Sequence, residues 1–93
     1  MSEELIINKL EAEGYNPVWP YTAEPDEVDE EHDHEFDTKL HILSGEIRVK
    51  TLSNGLITDF LLTEGDEIEI PRKQLHEAKV GTQGCRYIVA ERH

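Results

Sequence analysis

The sequence predicts a mainly β fold, a single antiparallel barrel behind one short N-terminal helix, and three observations predict it. From Val28 onward, apolar and polar residues alternate with a period of two and no useful helical periodicity appears. Turn signals recur at short intervals, at Ser44-Gly45, Asn54-Gly55, Glu64-Gly65-Asp66 and Gly81 to Gly84. The 93 residues are enough for one core and too few for two. The expected division is therefore a helix and extended arm over residues 1–25 and a barrel over 26–93, one domain in total.

Along the chain, Ser2 is the expected N-cap of a helix of roughly three turns. Glu3 and Glu4 suit its positive end, and Leu5, Ile6 and Leu10 form its apolar stripe before Gly14. Pro17, Pro20 and Pro25 around Trp19 and Tyr21 remove ladder donors, which predicts an extended arm or an edge strand, lying on the barrel or on a second subunit. The turn signals then divide the remainder into six or seven strands. A two-residue loop at Asn54-Gly55 would set Val49 opposite Phe60 and Lys50 opposite Asp59, one apolar and one opposite-charge pair. Leu40, Ile42, Ile68 and Ile70 are the expected core.

A net charge of −12 argues against nucleic acid and anionic membrane surfaces as partners and favours cations. Nine of the fourteen residues from Glu24 to Asp37 are acidic, and such a run is usually a solvated face. No stretch of the sequence is apolar over the length a membrane helix needs, and the first residues do not read as a leader, so a cytoplasmic protein is expected. Cys85, the single cysteine, has no disulfide partner and reads as a small buried hydrophobe.

Strand parity isolates a candidate site. Asp29, Glu31, Asp33, Glu35 and Asp37 share one parity, while His32, His34, Phe36, Thr38, Leu40 and Ile42 share the other. With the acidic set in water, His32 and His34 face inward, two residues apart on one side of a strand and close enough to share an ion. Further on, Gly65 to Pro71 reads as a turn, a strand and a stop, followed five residues later by His76.

Here the chain resembles the cupin superfamily. Its first motif runs Gly, five residues, His-x-His, three or four residues, Glu, six residues, Gly; its second runs Gly, five residues, Pro-x-Gly, two residues, His, three residues, Asn. His32, His34 and Gly45 fill the first motif and Gly65, Pro71 and His76 the second, over about residues 26 to 80, with the strand pattern extending to about 90. The chain departs from the motifs at Asp26 and Lys73, where the family has glycines, at Thr38, where it has the glutamate ligand, and at Val80, where it has asparagine. The resemblance implies a jelly-roll barrel, or double-stranded β-helix, with His32, His34 and His76 as ligands of a divalent metal. The carboxylate ligand is missing. Asp37 or Glu35 would replace it only through a bulge, since their parity points away. Three neutral imidazoles leave the ion its full charge and open positions, an arrangement similar to the three-histidine iron sites of thiol dioxygenase-like cupins. Fe, Zn, Ni, Mn and Cu all suit such donors.

Several other residues read as structural. His41 has the parity of the acidic face and is expected at the surface beside a carboxylate. His93 is expected to be disordered. Tyr87 either lines the barrel or fills its core. Arg72, Lys73 and Gln74 follow Pro71 near the barrel mouth, where a cation would orient an anionic substrate, although exposed loop cations are usually only solvated. No serine, cysteine or lysine has the context of an activated nucleophile. The sequence thus supports a small metal-dependent enzyme acting on a small organic substrate, a binding module holding a small-molecule ligand without chemistry, or a structural barrel whose Trp19 arm meets a partner. Fold does not decide among them. A thin core and an exposed edge also predict a homodimer.

Overall fold

A computed structural model describes residues 2–93. One helix, α1 (Glu3–Ala12), precedes six strands: β1 (Val18–Ala23), β2 (Val28–His32), β3 (Asp37–Ser53), β4 (Leu56–Thr63), β5 (Glu67–Ile70) and β6 (Leu75–Arg92). All pairings are antiparallel. The long strands β3 and β6 pair with each other from Asp37↔Arg92 to Leu52↔Leu75 and form the spine. On one half of this spine lie β1, against β6, and β5, against β3. On the other half lie β2, against β6, and β4, against β3. The halves enclose the main core of Leu40, Ile42, Ile47, Val49, Ile70 and Val80 with their neighbours. Burying each such side chain is worth about 1.5–3 kcal/mol.

Ser44-Gly45 and Gly81 to Gly84, expected as turns, lie instead within continuous strands. The β3–β6 register shifts on either side of Ser44 and Gly45, and this bulge reverses the inward parity. Thr38, Leu40 and Ile42 are buried before it, and Ile47, Val49 and Thr51 after it. Gly45 and Gly84 both have positive φ, at 77° and 79°. A Cβ on Gly45 would overlap the Gly84 carbonyl oxygen, so glycine is required for the two strands to pair this closely at the bulge.

The Asn54-Gly55 hairpin forms as the sequence predicts, with both residues at positive φ and with Val49 opposite Phe60 and Lys50 opposite Asp59. The ion pair at this position is diagonal, however: Arg48 Nη1, not Lys50, reaches Asp59 Oδ2 at 3.2 Å. Leu40, Ile42, Ile68 and Ile70 are buried.

Helix α1 starts at the predicted cap, where Ser2 Oγ accepts from the Leu5 N–H at 3.2 Å. Ile6 and Leu10 pack with Tyr15, Ile88 and Ala90 into a second core on the outer face of β6. Leu5 does not join them and is 60% exposed, because it lies one position off the buried stripe. Arg86 fastens the helix start to the sheet by donating to both Glu3 carboxylate oxygens, at 2.6 and 2.7 Å. The proline-bounded segment is an edge strand, β1, that covers its own barrel. No described helix is long and apolar enough to cross a membrane.

Candidate functional site

Strand β2 ends at His32, which is paired in register with His76 at the start of β6; His34 follows two residues later. The three rings converge, with centroids 4.3 Å apart for His32 and His76, 4.6 Å for His32 and His34, and 5.2 Å for His34 and His76. One ligand atom from each lies within 4.8 Å of the others. Two of the imidazoles are oriented by the backbone: His32 Nδ1 lies 2.6 Å from the Glu30 carbonyl oxygen and His76 Nδ1 2.9 Å from that of Gln74. A carbonyl only accepts, so both Nδ1 atoms carry the proton, and both Nε2 lone pairs are left for the site. His32 Nε2 and His34 Nε2 are 3.0 Å apart.

The His34 ring stacks on Phe36 at 4.7 Å, and the Lys73 N–H holds the His34 carbonyl at 2.6 Å. Burial, then the neighbouring His32 and His76, push the His34 pKa below the ordinary imidazole value. His34 is thereby kept neutral, the form in which imidazole donates a lone pair.

The histidines lie at one side of a cavity of about 360 Å³ between the two halves of the barrel. Trp19, Tyr21 and Tyr87 form an aromatic wall, and Glu27 and Asp29 also line it. Thr38 contributes a buried hydroxyl, the one buried side-chain polar atom without a hydrogen-bond partner among the described residues. It occupies the position of the missing carboxylate.

One residue of the acidic set, Asp29, is exposed as parity expects and also borders the cavity. The β2–β6 register shifts between Asp29 and His32, and the bulge brings Asp29 to the cavity, with its Oδ2 3.8 Å from His32 Nε2. Asp33 and Glu35 remain exposed. Asp37 turns to the Arg72 backbone N–H at 2.9 Å and to the guanidinium groups of Arg72 and Arg92, both at 3.4 Å. Arg72 is thus engaged away from the cavity; together with Lys73 and Gln74 it borders a separate surface depression, in keeping with solvated loop cations.

His41 is paired with a carboxylate as expected, Nδ1 to Glu67 Oε2 at 2.6 Å, but is half-buried rather than at the surface. His93, expected to be disordered, has its ring 4.6 Å from Phe36 and its Nε2 3.0 Å from Glu91. Tyr87 both lines the cavity and packs against the core. Cys85 is buried, and burial pushes its thiol up to about 11, which leaves it inert. Among the cavity residues that sequence reasoning did not assign to the site are Trp19, Tyr21, Glu27 and Asp29. The pairing of β1 with β6 brings Trp19 and Tyr21 there.

No family model matches the chain, and no curated protein matches it. Solved structures do. The cupin domain of Drosophila melanogaster CENP-C superposes with a TM-score of 0.74 at 20% identity, over 82% of this chain and 60% of that one. The same protein is also known bound to CAL1. A variant of oxalate decarboxylase from Bacillus subtilis, an enzyme with Mn(II) centres, gives 0.78 at 17% identity over 92% of this chain and 23% of its own. KdgF from Halomonas sp. gives 0.69 at 18% over 82% and 68%. The chain therefore spans less than two thirds of the CENP-C and decarboxylase chains. With its two-sided roll around the β3–β6 spine and the same architecture in these structures, this chain has the cupin fold.

Proposed function

We propose that this cupin-fold chain binds a divalent metal ion through His32, His34 and His76 and receives a small organic molecule in the adjoining cavity. The observation that carries this reading is the pair of backbone-anchored imidazoles, His32 and His76, whose unprotonated nitrogens are Nε2 and which cluster with His34. The 3.0 Å between His32 Nε2 and His34 Nε2 supports it, since two nitrogens about 2.1 Å from one ion at a right angle are about 3.0 Å apart. All three donors are borderline in softness, so Fe, Zn, Ni, Mn and Cu remain in play, and Mn is the ion named with one structural neighbour. A bound divalent ion would supply Lewis acidity, or a redox centre if it is iron, manganese or copper. The chain's own residues orient the ligand rings, wall the cavity with aromatic groups and offer the Thr38 hydroxyl.

A non-catalytic binding module is the second reading, and one observation favours it. Apart from the histidines, the only carboxylates among the lining residues are Glu27 and Asp29, and burial raises Tyr87 well above its ordinary value, so the lining offers few groups for proton transfer. Metal analysis of untagged protein and of His34→Ala tests the metal. Oxygen consumption or substrate turnover by the loaded chain would then separate enzyme from module.

We also infer a homodimer. Strand β4 pairs only with β3 among the described strands and exposes Leu56, Ile57 and Leu61, a surface that a second copy would cover. A cytoplasmic location fits the acidic composition and the lone, buried cysteine.

A further inference from the structure

We propose that the cavity selects a small organic cation, an alkyl- or arylammonium, over an anion of the same size. The inference concerns the same cavity as the proposed function but does not rest on the metal.

The charges around the cavity are one-sided. Glu27 and Asp29 line it, and none of its described lining residues is lysine or arginine. Neither carboxylate is paired with a lysine or arginine among the described residues, and Asp29 stands at the exposed rim. Glu27 accepts from the Tyr21 hydroxyl at 2.8 Å and from the Glu24 N–H at 3.1 Å, both uncharged donors. Asp29 has only His32, at 3.8 Å. The chain's arginines are engaged elsewhere: Arg72 and Arg92 with Asp37, Arg86 with Glu3, and Arg48 with Asp59. An anion entering here would meet two uncompensated carboxylates; an ammonium would meet two acceptors for charge-assisted hydrogen bonds.

The walls favour the same sign. Trp19, Tyr21 and Tyr87 present aromatic groups to the cavity, with the two tyrosine rings 5.6 Å apart, and the negative faces of such rings attract cations. The Thr38 hydroxyl independently points to a ligand. It is 93% buried, borders the cavity and lacks any partner among the described residues, so the polar group that satisfies it must come from within the cavity. A volume of about 360 Å³ falls within the roughly 300–1,000 Å³ range of small-molecule sites.

Trp19 is the chain's single tryptophan and lines the cavity, so its fluorescence reports occupancy directly. Benzylammonium, benzyl alcohol and benzoate, matched in size and differing in charge, would be titrated into the full chain as purified and after EDTA treatment. Metal content would be measured on each sample. In the EDTA-treated chain benzylammonium is expected to bind about tenfold more tightly than benzyl alcohol, and benzoate more weakly than either; a divalent ion beside Asp29 in the protein as purified would narrow that preference. Equal affinities, or a preference for benzoate, in the EDTA-treated chain would overturn the proposal. In the double variant Glu27→Gln, Asp29→Asn, benzylammonium should fall to the level of benzyl alcohol while benzyl alcohol itself still binds, which also reports an intact cavity. An unchanged preference for benzylammonium in that variant would overturn the assignment to these two carboxylates. Absence of metal from the purified protein would count against the metal reading and leave this one standing.

Discussion

The backbone N–H of Lys73 donates to the carbonyl oxygen of His34 at 2.6 Å, and Lys73 does so from φ +67°. The loop between β5 and β6 is thereby tied to the segment that carries His34, in a conformation that costs a side-chain-bearing residue about 1–2 kcal/mol. Lys73→Gly removes that cost and keeps the donor. It should stabilise the chain by about 0.5–1 kcal/mol in chemical denaturation. Lys73→Pro cannot adopt the angle and deletes the N–H, so it should destabilise the fold and lower metal retention.

His34→Ala should abolish metal retention, whereas Asp33→Asn, at an exposed position, should change it little. Imidazole must be neutral to bind, so affinity should weaken as the solution is made acidic. Plasma emission analysis after dialysis at several pH values checks both. Metal release by Asp33→Asn would place a carboxylate in the shell that parity assigns to solvent.

Asp37 should make stability pH-dependent at the acid end. The Arg72 backbone N–H, then the guanidinium groups of Arg72 and Arg92, hold its carboxyl below the ordinary value in the folded chain. A depressed folded pKa gives stabilisation that is fully present above the unfolded value of about 3.9 and disappears as pH falls through the folded one. Asp37→Asn should therefore melt a few degrees lower than the parent at pH 7 and equally once both are below the folded pKa. A gap that persists in acid would show that the asparagine damages packing instead.

Thr38→Val keeps the shape of the side chain and deletes a buried hydroxyl without a partner. Removing that unsatisfied group should raise the stability of the metal-free, ligand-free chain by about 1 kcal/mol, read as a higher urea midpoint at unchanged slope. A loss of stability would mean that an ordered water already satisfies the oxygen.

Leu61→Lys, on the exposed face of β4, should lower self-association in light scattering without lowering the melting temperature of the monomer. A dimer that persists unchanged would move the interface elsewhere on the molecule.

Much of this was legible in the sequence because it depends on local spacing. The Asn54-Gly55 turn fixed the register of β3 and β4 to the residue, and His-x-His with a later His76 marked three imidazoles that do meet. The failures share one physical cause. Strand parity is reliable only while pairing is regular, and a bulge adds one residue and reverses every later side chain. The shift at Ser44 and Gly45 hid the continuity of β3, so a kink read as a turn. The shift between Asp29 and His32 hid an acid at the cavity. Asp26 and Lys73 show the converse: both hold positive φ, at 61° and 67°, where the family motifs have glycine, so the backbone shape persists without the residue that marks it.

The close pairing at Gly45 and Gly84 has a consequence for ligand size. Trp19 and Tyr21 ride on one leaf of the spine and His32 and His76 on the other, so the cavity is a jaw whose gape is set at that pairing. Neither glycine lines the cavity, yet the contact between their backbones fixes how far the aromatic leaf stands from the histidine leaf. A side chain at Gly45 would wedge the jaw at its root, so the calibre of the molecules admitted is set by two residues that touch none of them.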